Sequence, residues 1–359
     1  MPEPSFHRRV RLAAIVLALS TTGAGATPAP DAQHAGSALD RPAVTTSIGA
    51  RVMLLAVQQA GKRLVAVGER GHVLLSEDDG KTWQQAKVPV SVTLTALAFA
   101  DERVGVAVGH AGVILRTEDG GRNWSRVTDG RTIAQQILES VDKTDKNAVT
   151  EARRGVEDGP GKPLLDVRFA DARRGLAVGA DGLVLATGDG GASWTPLVGV
   201  APAQDRRHLY AILRTSAEWY LAGEQGALYR SDDDARTFTK LTSPYRGSYF
   251  GILGVKGGGV VAFGLRGNAY LSSDRGATWG RVNLPSQATL LGGLSLSDGS
   301  LLLFDEVGHV WRSREGAGHF EAADAGSGLP IVMAVQTGAD RFVTVGPRGI
   351  SQLTLNPSR

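Results

Sequence analysis

The sequence contains no cysteine. Its fold therefore cannot rest on disulfides or thiolate-bound metal, and closure must come from packing and strand pairing. Aromatic residues make up only 6% of the chain against 47 glycines, a balance that suits many short strands joined by tight turns. Beyond residue 26, no stretch reaches the roughly 18 apolar residues of a membrane span, so the mature chain is expected to be soluble and peripheral. An excess of one charge is also missing. The formal charge of +3 falls to +1 once three arginines and one glutamate of residues 1–26 are set aside, which argues against nucleic acid as a partner.

Those first 26 residues have the order of a secretory signal. His7-Arg8-Arg9-Val10-Arg11 is a basic start, Leu12 to Leu19 is a short apolar core, and Ala24-Gly25-Ala26 offers small residues for cleavage. Residues 27–41 are rich in Ala, Pro and Gly without periodicity and read as a flexible spacer.

The rest of the chain repeats itself. The turn Gly68-Glu69-Arg70-Gly71 recurs from Gly109, Gly179, Gly223, Gly264, Asp305 and Gly346, at intervals of 41, 70, 44, 41, 41 and 41 residues. Eight residues after each of the first six starts a box of eight begins, cleanest as Ser76-Glu77-Asp78-Asp79-Gly80-Lys81-Thr82-Trp83. Further boxes start at Thr117, Thr187, Ser231, Ser272 and, much altered, Ser313. Within one period, Leu94–Phe99, Val104–Val108, Val113–Thr117 and the run from Trp124 read as four strands with three tight turns. Seven periods of about 40 residues predict an all-β, seven-bladed propeller with four-stranded blades over residues 42–355.

The box residues have structural work to do. The glycine can take positive φ, and the acids Asp78, Asp119, Asp189, Asp233 and Asp274 can bond the turn backbone. Trp83, Trp124, Trp194, Phe238 and Trp279 each bury a large apolar side chain, worth about 2–3 kcal/mol. These boxes lie on separate blades, too far apart for the six or more oxygens of a calcium site, and no metal or cofactor is expected. The seventh period ends before its box, so residues 42–46 are expected to supply the last blade's fourth strand and close the ring.

One interval is about 29 residues too long. Within this insertion, 128–163, Ile133, Ile137, Leu138 and Val141 have helical spacing, and a second helix is expected from Ala148 to Arg154. It emerges between blades 2 and 3, on the face opposite the boxes. There the Gly-x-x-Gly turns bring Arg70, His110, Asp181, Glu224, Arg266 and Arg348, while connections between blades bring Arg206, Arg207, Tyr245, Arg246 and Tyr249. Arginine with tyrosine is a mixture enriched at interaction hot spots, so this face is the candidate partner-binding surface.

Ser-x-Asp-x-Gly-x-Thr-Trp at Ser76 and Ser272 resembles the bacterial neuraminidase repeat, or Asp box. Preceded by Ala-Val-Gly-x-x-Gly and an apolar pair, the whole pattern more closely resembles the photosystem II assembly and stability factor family over roughly residues 42–355. That resemblance implies an exported, non-catalytic propeller, periplasmic or lumenal in a photosynthetic source. It would be a monomeric scaffold for a membrane protein or membrane-complex subunit. The sequence departs from the repeat at Ala235, Glu315 and His319. The alternative is a sialidase-type glycosidase or glycan binder. Such enzymes need an arginine triad, a Tyr–Glu pair and an acid/base. Asp40-Arg41-Pro42 is a poor match to their Arg-Ile-Pro, and Glu218 and Tyr220 fall toward the box face.

Overall fold

The computed structural model describes residues 37–200, 206–313, 315–323 and 328–355. Residues 1–26, expected to be a secretory signal, and the spacer residues 27–36 lie outside them. The described strands form seven separate antiparallel sheets, six of four strands and one of three. First strands are Leu54–Ala60, Leu94–Phe99, Leu164–Phe169, Leu209–Arg214, Tyr249–Gly254, Leu290–Ser295 and Met333–Gln336. Second strands such as Gly105–Gly109 and Val260–Gly264 are buried at every residue. Both faces of each blade are covered by a neighbour, so these strands are apolar throughout instead of alternating.

Seven apolar clusters occupy the seven seams between blades. Val106, Val108 and Ile114 of blade 2 pack with Leu164, Ala177 and Leu185 of blade 3. The ring closes in the same way: Leu54, Val57 and Leu74 of blade 1 pack on Val343 and Val345 of blade 7. Each box tryptophan reaches back into the preceding blade, as Trp124 does into the cluster of Val65 and Val67.

Inside a box the hydroxyls and the central acid bond one another and the turn backbone. Ser76 Oγ donates to Asp78 Oδ1 (2.8 Å) and accepts the Gly80 N–H, while Asp78 Oδ1 accepts the Thr82 N–H and Oδ2 the Thr82 hydroxyl. Trp83 Nε1 donates to Gly80 O at 3.0 Å. The same bonds recur around Asp119, Asp189, Asp233 and Asp274. Donors aimed at the carboxylate, the Thr82 hydroxyl first among them, hold Asp78 down at about 2. Box four keeps this geometry with Ala235 in the glycine position, at φ 65°.

Blade 7 corrects one expectation. It has three strands, Met333–Gln336, Arg341–Gly346 and Gly349–Thr354, and residues 42–46 do not join them. That segment lies along blade 1 instead: Ala43 N–H donates to Val88 O, and Gln85 exchanges side-chain bonds with Thr46 and Val44. Leu39, 2% exposed, and Asp40, bonded to Arg126 and Arg131, anchor the chain just upstream. The segment that does meet blade 7 is the single turn Gly49–Arg51. Ala50 O sits where a Cβ on Gly349 would fall (2.1 Å), as Val90 O does for Gly71 and Tyr245 O for Gly226. Ala50, Val90 and Tyr245 each stand four residues before a first strand, so the chain's entry reproduces a blade-to-blade connection without a strand before it.

The insertion holds two helices, α1 (Gly130–Ser140) and α2 (Lys146–Glu157), slightly longer than expected. Asp129 and Asp145 cap them by accepting N–H groups of their first turns. Ile133 and Ile137 of α1 seat the insertion on the core shared by blades 2 and 3.

Candidate functional site

The face opposite the boxes is built from a repeated turn. After Gly68 the N–H of Glu69 donates to Met53 O, and the equivalent bonds run from His110 to Thr93, Glu224 to His208 and Leu265 to Ser248. A Cβ on the first glycine would lie 2.2–2.3 Å from that same carbonyl in each case, so the glycine is needed for close approach. The third residue of the turn stands at positive φ: Arg70 at 53°, Asp181 at 55°, Gln225 at 52° and Arg266 at 58°. The cost, roughly 1–2 kcal/mol each for a residue with a Cβ, is carried by the turn's closing bonds.

Acids and arginines in these turns behave differently. Glu69 accepts the Met53 N–H (3.1 Å), Glu224 the His208 N–H (3.3 Å) and Glu306 the Thr289 N–H (2.9 Å). These carboxylates are occupied by backbone. Arg70, Arg246, Arg266 and Arg348 are exposed, and none makes an ion pair among the described residues. They come from blades 1, 5 and 7 and form an arc over one half of the face. Arg51 joins them, since its Cα lies 2.7 Å from where a Cβ of Gly349 would be. Sequence reasoning missed Arg51, although its place three residues before a first strand was a readable signal.

The other half carries the insertion. Between α1, α2 and blade 3 lies a cleft of about 590 Å³, walled by Ile137, Val141, Ala152, Leu183 and Leu197. Arg206 pairs with Glu151 of α2 across its mouth, and Lys162 pairs with Asp181 at 3.4 Å. Asp181 and Arg206 thus belong to the cleft rim, apart from the free arginines. Arg207 donates to Gln225 O beside Glu224. His110 is exposed above blade 2, with its imidazole held below the ordinary value by desolvation.

The tyrosines are corrected. Tyr249 is fully buried, its hydroxyl beside Ser243 Oγ (3.0 Å), and cannot meet a partner. It occupies the position of Leu54, Leu94, Leu164, Leu209 and Leu290, all buried first residues of inner strands. Tyr245 is half-buried, stacked on Tyr270 at 5.9 Å, with its hydroxyl on Leu265 O. Both tyrosines position the Arg266 turn; they do not project from it.

First strands of neighbouring blades are pinned to one another. Thr95 Oγ1 donates to Leu164 O across the seam of blades 2 and 3, and Asp166 accepts the Ile212 N–H across the next seam at 2.7 Å. Burial pushes the Asp166 carboxyl up in spite of Arg168 and the two N–H groups on it.

Glu218 and Tyr220 do meet, at 2.7 Å, in the seam between blades 4 and 5 on the box face. Tyr220 is 1% exposed, and burial together with Glu218 pushes its hydroxyl up, the reverse of nucleophile activation. Glu218 pairs with Arg275 of the next blade's box. Asp40, beside Arg41 and Pro42, is taken by Arg126 and Arg131.

Fold and face together define a closed propeller with ion pairs concentrated on the box side and an arc of unpaired arginines on the other, among the described residues. Residues 75–150 and 156–280 match the family described as photosynthesis system II assembly factor YCF48, more than half of the chain. The chain belongs to that family. Over 77 residues it is 34% identical to the photosystem II assembly lipoprotein Ycf48 of Synechococcus sp. (strain CC9902), a stretch covering 21% of this chain and 23% of that protein. It thus spans about a quarter of that relative's length. Among solved structures, YCF48 bound to D1 peptide superposes with a TM-score of 0.63 at 14% identity, covering 90% of this chain and all of that one. YCF48 from Cyanidioschyzon merolae gives 0.61 at 15% identity over 86% and 97% of the two chains. At these identities the superpositions establish the fold.

Proposed function

We propose that this protein is an exported, non-catalytic assembly scaffold that grips an acidic segment of a membrane-protein subunit on the Gly-x-x-Gly face. The observation that carries this reading is the arc of Arg51, Arg70, Arg246, Arg266 and Arg348, exposed and without carboxylate partners among the described residues, on a closed ring. Guanidinium groups left unpaired offer planar, bidentate recognition of carboxylates. A closed ring presents them with little ordering entropy lost on docking. Support comes from membership of an assembly-factor family and from a relative with the same fold whose complex holds a D1 peptide. Export is supported by the basic and apolar start of the sequence and by the relative's description as a lipoprotein. No residue of this sequence can carry a thiol-linked lipid, since cysteine is absent. Among the described residues no helix is long and apolar enough to cross a membrane.

Catalysis is no part of this reading. The Tyr220–Glu218 pair is sealed in a seam, with its tyrosine hydroxyl held protonated. The test is co-purification from detergent-solubilised native envelope. The wild type should retain an integral membrane protein that the Arg70→Glu/Arg266→Glu/Arg348→Glu variant loses at unchanged Tm. Equal retention by both proteins overturns the assignment.

A further inference from the structure

We infer that the open edge of blade 7 takes up an extended segment of a partner polypeptide as that blade's fourth strand. Six blades pair their third strand with a fourth, whereas Gly349–Thr354 is paired on one side only. Val332 N–H donates to Val345 O and Thr337 N–H to Arg341 O, so residues 341, 343 and 345 point their backbone groups toward the first strand. Those of residues 342, 344 and 346 then point toward Gly349–Thr354, and Thr344 Oγ1 donating to Ser351 O (3.2 Å) agrees. Ile350, Gln352 and Thr354 therefore direct N–H and C=O outward. No hydrogen bond to these groups exists among the described residues. Gln352 and Thr354 are exposed, so the edge is open to solvent.

Blade 7 also differs in register from its sisters. Gly346 pairs directly with Gly349 around Pro347-Arg348, whereas Gly68 N–H in blade 1 bonds to His72 O around a turn one residue longer. That slip exchanges which residues face outward, so a strand in the register of the other blades would not fit this edge. It is a physical reason why residues 42–46 lie elsewhere.

The chain upstream is badly suited to fill the gap. Ala38 O accepts the Ser91 N–H, so the chain enters over the connection between blades 1 and 2, with the whole of blade 1 intervening. Residues 27–36 contain Pro28 and Pro30, which cannot donate to a ladder, and one β-branched residue. A partner segment is the occupant that remains. Arg348 precedes the edge strand, and Arg341, on the second strand, pairs with Thr354 at its far end; both are exposed and in no ion pair among the described residues, which selects an acid at each end of the added strand. Main-chain bonds would supply the binding and those two charges the register. Apart from Arg348, where the two meet, this edge is distinct from the face described above, and the proposal does not require that reading.

The test is residue-level amide exchange on the chain from Thr27. The probe is an acetylated octapeptide of alternating Thr and Val with Glu at each end. Alone, Ile350, Gln352 and Thr354 should exchange as free amides. With saturating peptide they should slow by at least about tenfold. Gln352→Pro removes one outward N–H without touching the ladder to the second strand, and should abolish that slowing. Gln352→Ala, which loses only the side-chain bond to Gly80 O, should keep it. Thr354→Pro is a second variant of the same design should the first lose its fold. Arg70→Glu/Arg266→Glu should leave the slowing intact, which separates this edge from the arginine arc. Protection already present in the chain alone assigns the edge to the protein's own upstream segment. Protection that grows with protein concentration assigns it to a second copy. Either result, or slowing that survives both proline variants, overturns the proposal.

Discussion

The two faces of the ring treat charge differently. On the box face several arginines are consumed internally: Arg63 and Arg122 meet Glu77, Arg174 meets Asp171 and Asp234, Arg275 meets Glu218, and Arg312 meets Asp298, while Arg103 and Arg236 are exposed and outside any ion pair among the described residues. Several of these pairs cross a seam and tie neighbouring blades together. On the opposite face the turn glutamates bond backbone N–H groups and leave Arg70, Arg266 and Arg348 to solvent. One face stabilises the ring and the other is free to recognise something, although both grow from the same repeat.

If that division is right, substitutions on the two faces should separate stability from binding. The largest stability effect belongs to the box aromatics. Trp124→Ala should cost about 3–5 kcal/mol, read as a lower urea midpoint, because the indole fills the seam beneath Val65 and Val67. Next comes acid. Asp78, Asp189, Asp233 and Asp274 are each held at about 2, below the ordinary 3.8. A carboxylate depressed in the folded state stabilises fully above its unfolded value, and that contribution disappears as pH falls through the folded one. Thermal melts should therefore hold steady down to about pH 4 and fall steeply between roughly pH 4 and 2. Asp119→Asn should flatten part of that fall. A melt curve without a drop in that window would mean the boxes do not anchor the turns. The smallest effect is expected at box four. Ala235→Gly relieves a left-handed alanine but removes its buried methyl and loosens the unfolded chain, so stability should move by less than about 1 kcal/mol.

Much of the fold was legible because its determinants are local. Gly-x-x-Gly, the serine-to-tryptophan box and the spacing of Ile133 and Ile137 each encode a turn or a helix within a few residues. The entry of the chain was not, because the place of residues 42–46 depends on Leu39, Arg126 and Arg131 and on a slipped register far along the sequence. Tyr249 could have been read correctly. It stands where five sister blades carry a buried leucine, and its aromatic character obscured that equivalence. The cleft beneath α2 gave no signal, since Val141 and Leu183 are brought together only by the insertion folding back on blade 3.

The division between faces can be tested in one titration. A glutamate-rich peptide would be titrated into three proteins: the wild type, Arg70→Glu/Arg266→Glu/Arg348→Glu, and Arg103→Glu/Arg122→Glu/Arg236→Glu on the box face. The account predicts at least about a tenfold loss of affinity, some 1.4 kcal/mol, for the first variant alone, with a shallower salt dependence. Equal weakening of both variants, or of neither, would contradict it.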